Sequence, residues 1–178
     1  GATFFHVQAA LNPFGLRLAS RPSNAFGTLG GRASAGGLGL GSLRAGPLVQ
    51  RVAAARVVLP DGSLERLTPA DAGFGDFFDT EGQLGLFASL RLELDRIGPP
   101  GPVEGLVLPD EKAAAELVDG LLGLSEPPDE VLLLGRVHDH PELSDEPDGE
   151  LVLVSWPNAG RKKTERPAGI RSLAPAAA

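Results

Sequence analysis

With 42% hydrophobic and 22% charged residues, the 178-residue chain can build one sizeable core or two small ones and does not read as a disordered chain. Sixteen Lys and Arg stand against 23 Asp and Glu, and the formal net charge of −7 opposes nucleic-acid binding, which demands a concentrated positive surface. No cysteine is present, so disulfides, thiol nucleophiles and cysteine-ligated metals are excluded.

The chain contains no Met and opens inside an element-like run, Ala2–Leu11, as expected of an excerpt from a longer protein; a processed N-terminus is the alternative. Thr3 can cap a short helix whose Phe4, Val7, Ala10 and Leu11 share a face, and Asn12-Pro13 should end it. From Pro22 to Gly46 the composition turns to Gly, Ser, Ala and Leu, and no ordinary packed element is expected there. Val52–Leu59 and Leu64–Leu67, separated by Pro60-Asp61-Gly62-Ser63, predict a β-hairpin. After Phe74, Phe77 and Phe78, the run Leu84–Leu94 predicts a strand that alternates from Leu90 onward and whose first half is the more fully buried.

Gly98-Pro99-Pro100-Gly101-Pro102 reads as a linker at a domain boundary. Beyond it, Val103–Leu108 predicts a strand, Asp110 a helix cap before Ala114, Leu117, Val118, Leu121 and Leu122, and Val131–Leu134 a returning strand. An acidic loop over 138–150, a strand at Leu151–Val154 and a fraying basic tail from Gly160 complete the chain. The fold class is α+β in two groups, with a β-α-β unit in the second.

The glycine-rich stretch is the main chemical signal. Gly30-Gly31 and Gly36-Gly37, with Ala33, Ser34 and Ala35 between them, let main-chain N–H groups approach an anion without Cβ interference, and phosphate is the natural guest. A mobile linker is the alternative, but Leu29, Leu38, Leu40 and Leu43 punctuate the run. It matches neither the Rossmann fingerprint nor a P-loop.

Four motifs in order carry a family resemblance: Gly27-Thr28-Leu29-Gly30-Gly31; Gly41-Ser42-Leu43-Arg44-Ala45-Gly46-Pro47; Val57-Val58-Leu59-Pro60-Asp61-Gly62; and Thr80-Glu81-Gly82-Gln83-Leu84-Gly85-Leu86. Over about residues 1–95 the chain resembles the FAD-binding domain of the vanillyl-alcohol-oxidase and p-cresol-methylhydroxylase (PCMH) superfamily, and within it the glycolate and D-lactate oxidase or dehydrogenase subunits. The resemblance implies the second lobe of a PCMH-type FAD-binding domain over 1–97, a linker at 98–102, a partial ferredoxin-like β-α-β cap over 103–158 and a tail over 159–178. It implies FAD as cofactor, with Pro22, Thr28, Gly30, Gly31, Ser34, Gly36, Gly37, Gly41, Gly46, Val52, Gly82 and Leu86 lining it. The earlier lobe of such domains has no counterpart here, so a preceding segment or another chain is expected to supply it. Ala45 and Gln50 depart from the residues common in relatives, and no His stands in a flavin-linking motif, so a covalent flavin bond is not expected.

The remaining candidates are weaker. His138-Asp139-His140 suits a solvated turn better than a metal pair, and His6 a satisfied surface or core histidine better than a base. Glu81 is expected to fix a bend by accepting backbone N–H groups rather than to act as an acid or base. Ser34 lacks a nucleophile elbow, the basic residues Arg161, Lys162, Lys163, Arg166 and Arg171 read as a solvated terminus, and Trp156 as packing. No catalytic residue and no metal ligand is assigned.

The leading expectation is an FAD-dependent oxidoreductase acting on a small 2-hydroxy acid such as glycolate or D-lactate. The alternative is a non-catalytic scaffold or assembly subunit on a flavoprotein-like fold; a nicotinamide-dependent flavin reductase is disfavoured for want of a proton-donor serine motif. Lacking a run near the ~18 apolar residues of a membrane span, and lacking a leader-like opening, the chain is expected to be soluble and cytoplasmic.

Overall fold

The computed structural model describes residues 1–98, 101, 103–141 and 148–156, and the backbone of 171–172. Two compact units divide the chain, Gly1–Ile97 and Gly98–Ala178.

In the first unit the Thr3 hydroxyl accepts the His6 N–H at 3.2 Å and starts α1 (Phe4–Leu11), which passes into a 3-10 turn at Asn12–Phe14. Gln8 ties this helix to β1 (Leu16–Leu18): its Nε2 donates to the Leu16 carbonyl at 3.0 Å, and its Oε1 accepts the Leu18 N–H at 3.1 Å. Contrary to the sequence expectation, the glycine-rich stretch holds two helices, α2 (Leu29–Ala35) and α3 (Ser42–Ala45). The reason is local capping plus burial. Thr28 accepts the Gly31 N–H at 3.1 Å, and the apolar residues Leu29 and Ala33 turn toward the core, which outweighs the poor helix propensity of glycine.

A three-stranded antiparallel sheet follows, in the order β3-β2-β4, from β2 (Val52–Val58), β3 (Leu64–Leu67) and β4 (Leu86–Leu92). The hairpin is the one read from Asp61-Gly62: Val57 pairs with Glu65 and Val58 with Leu64, and Gly62 takes the positive φ of 85°. β5 (Leu94–Arg96) returns to pair with β1. Phe4, Leu18, Ala33, Leu48, Val52, Ala55, Val57, Phe74 and Phe78 form the core, with the Phe78 ring 4.9 Å from that of Phe87. The burial expected of the Leu84–Leu94 run is corrected: its first half is the more exposed, with Leu86 at 67%. Leu86 faces away from the core because it pairs with Val58, whereas Phe87, paired with Val57, and Leu90, paired with Ala55, point inward.

The second unit is a four-stranded sheet in the order β7-β8-β6-β9, made of β6 (Val103–Leu108), β7 (Glu130–Arg136), β8 (Glu150–Ser155) and β9 (Arg171–Ser172). Asp110 accepts the Ala113 N–H at 2.8 Å and caps α4 (Glu111–Leu122). β6 and β7 are both antiparallel to β8, which lies between them, so the β-α-β unit is a split one. Ala114, Leu117 and Leu121 of α4 meet Leu106, Leu108, Val152, Val154 and Trp156 in one core. Within the stretch expected to fray, Arg171–Ser172 instead pair with Leu106 and Val107; the rest of the tail, like Pro99, Pro100, Pro102 and residues 142–147 of the acidic loop, lies outside the described residues.

Candidate cofactor site

The side-chain-poor surface is built around α2. At its start, Leu29 N–H donates to the Ala2 carbonyl and Gly31 N–H to the Thr28 hydroxyl. Gly30 lies against β4, where a Cβ would stand 3.7 Å from Phe87. At the other end, the segment 79–82 straps across the helix: Asp79 N–H donates to the Ala33 carbonyl at 3.4 Å and Glu81 N–H to the Ser34 carbonyl at 2.8 Å. Among the described residues, Asp79 and Glu81 alone combine a side chain with positive φ, at 60° and 55°, and Gly82 follows at 80°. Glu81 therefore fixes its bend through its own N–H and left-handed backbone, not through its carboxylate as the sequence suggested.

The glycines divide into two kinds. At Gly36 a Cβ would come within 1.6 Å of the Asp79 carboxylate, and at Gly39, Gly41 and Gly46 equally severe overlaps with the Arg21 carbonyl, the Ala19 carbonyl and the Gln50 side chain would follow. These positions are small because the chain packs against itself there. Gly36 and Gly46 also spend their N–H groups on the Arg32 and Ser42 carbonyls. Gly37 is different: it is exposed, with φ of 89°, and has near it only the Arg32 guanidinium, 3.4 Å from where a Cβ would be, whereas a Cβ at the exposed Gly31 would stand 2.9 Å from the Thr28 hydroxyl. Among the described residues no acceptor meets the N–H of Gly30 or of Gly37. The first lies in the opening turn of α2 and the second just beyond its C-terminal end, so they are separate main-chain donors open to a ligand.

The other sequence candidates sit around this surface in distinct ways. Thr28 is the helix cap, the Ser34 carbonyl is engaged by the strap, and Gly82 is left nearly open. Gly41 opens α3 and Gly46 closes it, both at positive φ. Val52 is a core residue, 2% exposed, whose N–H donates to the Val49 carbonyl, whereas Leu86 is exposed on the outer face of β4. Pro22 lines a cleft of about 250 Å3 with Phe4, Phe5, Leu18, Arg21 and Ala25. An antiparallel bridge from Arg21 to Leu40 joins this edge to the glycine loop, and the buried Ser20 and Ser42 hydroxyls, 3.0 Å apart, lock it. Sequence reasoning passed over Arg32. It is the one cation on α2, half-buried, and donates from Nη2 to the Leu38 carbonyl, so it stands beside Gly37. The available signal was a single charged residue between the Gly30-Gly31 and Gly36-Gly37 pairs.

His6 is held by Thr3, with Nδ1 2.9 Å from its hydroxyl, and His138 stands between Asp139 and Asp148 at 3.3 Å from each. Among the described residues no group of three or more potential metal ligands gathers, and no helix is long and apolar enough to cross a membrane.

Residues 1–68 match the family model of the FAD binding domain. The structure of an alkyldihydroxyacetonephosphate synthase is similar to this one, with a TM-score of 0.68 and 18% sequence identity over 87% of this chain and 34% of that chain. The chain thus spans about a third of the length of the synthase it matches. No curated protein matches the sequence. The fold is that of the matching portion of the synthase, an FAD-family structure, and the family match over residues 1–68 indicates FAD binding.

Proposed function

Since residues 1–68 match the model of an FAD binding domain, we propose that the chain is part of an FAD-dependent oxidoreductase and that the main-chain donors of Gly30 and Gly37 contact FAD at separate points. The observation that carries this reading is that the family match includes the glycine-rich stretch around α2, where the N–H groups of Gly30 and Gly37 meet no acceptor among the described residues. The bound flavin would supply acceptance of a hydride equivalent from a substrate carbon. The chain's own contribution is to bind and orient. Thr28 and the 79–82 strap fix both ends of α2, the overlaps barred at Gly36, Gly39 and Gly41 set the course of the loop, and Arg32 adds positive charge beside Gly37.

In this reading residues 1–97 are the second lobe of the flavin domain, 103–158 begin a cap over the substrate, and the rest of the cradle comes from a preceding segment or another chain. The substrate is a small 2-hydroxy acid of the glycolate or D-lactate type, the reaction an oxidation by an oxidase or dehydrogenase, and the setting cytoplasmic. A second reading, a non-catalytic subunit on the same fold, is favoured by Gly36, Gly39, Gly41 and Gly46, whose small size is already required by the chain's own packing. Denaturing the purified protein and measuring released flavin separates the two. Near-stoichiometric FAD, bleached anaerobically by D-lactate or glycolate, is the expected result; a colourless protein that takes up no added FAD contradicts the cofactor role.

A further inference from the structure

On the outer face of the three-stranded sheet, turned away from α2, three arginines gather with no counter-charge among the described residues. β2 places Arg56 directly opposite Arg66 of β3 and, on its other side, opposite Ser89 of β4; Arg91, two residues along β4, stands opposite Ala54. Arg56, Arg66, Ser89 and Arg91, with Ala54, Ala55 and Leu90, line one concavity of about 200 Å3. All three arginines are exposed, and among the described residues none has an ion-pair partner. Like charges directly across a strand pair oppose sheet formation, and here they do so in a chain that is acidic overall. Register explains why no neighbour relieves them: the nearest acid on β3, Glu65, pairs with Val57 and so belongs to the opposite face.

We propose that this cluster is a binding site for a phosphate-class oxyanion, distinct from the glycine-rich surface around α2. Guanidinium groups donate paired N–H bonds to phosphate oxygens, the Ser89 hydroxyl adds a donor on the same face, and the arriving negative charge cancels the Arg56–Arg66 repulsion. The volume limits the guest. It falls below the ~300 Å3 at which pockets for drug-sized ligands begin, and therefore takes a phosphate or diphosphate group rather than a whole dinucleotide. That group belongs either to a free phosphorylated compound or to a lipid headgroup.

Calorimetric titration of the full chain with inorganic pyrophosphate at low ionic strength tests the site. Saturable one-to-one binding is expected, weakening with added salt and falling at least tenfold in the R56Q/R66Q double variant, with FAD retention unchanged. Arg91→Gln, exposed and on a different strand, gives the same loss and serves if the double variant does not fold. As a second readout, Arg56→Gln should raise the melting temperature at low salt, and pyrophosphate should stabilise the parent protein but not the double variant. Sedimentation with phosphatidic acid vesicles, against phosphatidylcholine vesicles, identifies the source: arginine-dependent capture indicates a headgroup, and pyrophosphate binding without capture indicates a soluble compound. Absence of saturable binding, or binding that survives the double variant and Arg91→Gln unchanged, overturns the proposal.

Discussion

Asp79 occupies, with its carboxylate, the space that any side chain at residue 36 would need, and each partner stands in a left-handed conformation. Both facts make Gly36→Ala costly: strain at a φ of 70° accounts for about 1 kcal/mol and the overlap adds to it. If the carboxylate is the obstacle, Asp79→Gly removes the overlap and relieves its own backbone, so the two substitutions are coupled. A double-mutant cycle by urea unfolding should show Gly36→Ala costing about 2 kcal/mol alone and recovering roughly half of that beside Asp79→Gly. Strict additivity would mean that Asp79 does not shape the loop. From the sequence, the glycine pairs looked alike. What separates Gly36 from Gly37 is a residue 43 positions away, and no local pattern announces it.

The elements read best where a short-range signal and a buried face agree. Thr3, Asp61-Gly62 and Asp110 each marked a boundary that the structure keeps, because a cap or a tight turn is settled within four residues. The helix α2 escaped notice because its glycines argue against a helix and its stability comes from Ala33 in the core and from the 79–82 strap, both tertiary. The Leu84–Leu86 start of β4 misled in the opposite direction, since an apolar residue there reaches the outer face of the sheet. In the second unit, the junction between β7 and β8 holds an ionic cluster that sequence spacing did not reveal. Arg136 donates to Asp148 at 2.6 Å and His138 lies 3.3 Å from the same carboxylate, and these bonds, Arg136 first, hold the Asp148 carboxyl below its ordinary value of 3.8. A depressed acid stabilises the fold above its unfolded value and loses that contribution as pH falls through its folded one. Proton titration by NMR should therefore place Asp148 below the ordinary Asp range, and Arg136→Gln should move it upward. An unchanged titration in that variant would exclude the Arg136 contact in solution.

Each of the two units has its own hydrophobic core, and the family match falls entirely within the first. A boundary at 98–102 was legible in the composition, whereas the proposed donors were not, because hydrogen bonds within the chain decide which amides stay available for a ligand. A titration of the 15N-labelled chain with FAD, followed through its amide resonances, bears on that proposal most directly. Saturable shifts at Gly30 and Gly37, with smaller ones at Gly31, Gly36, Gly39 and Gly46, whose N–H groups are already engaged, are predicted. No response from residues 28–38, or shifts confined to Arg56, Arg66, Ser89 and Arg91, would contradict it.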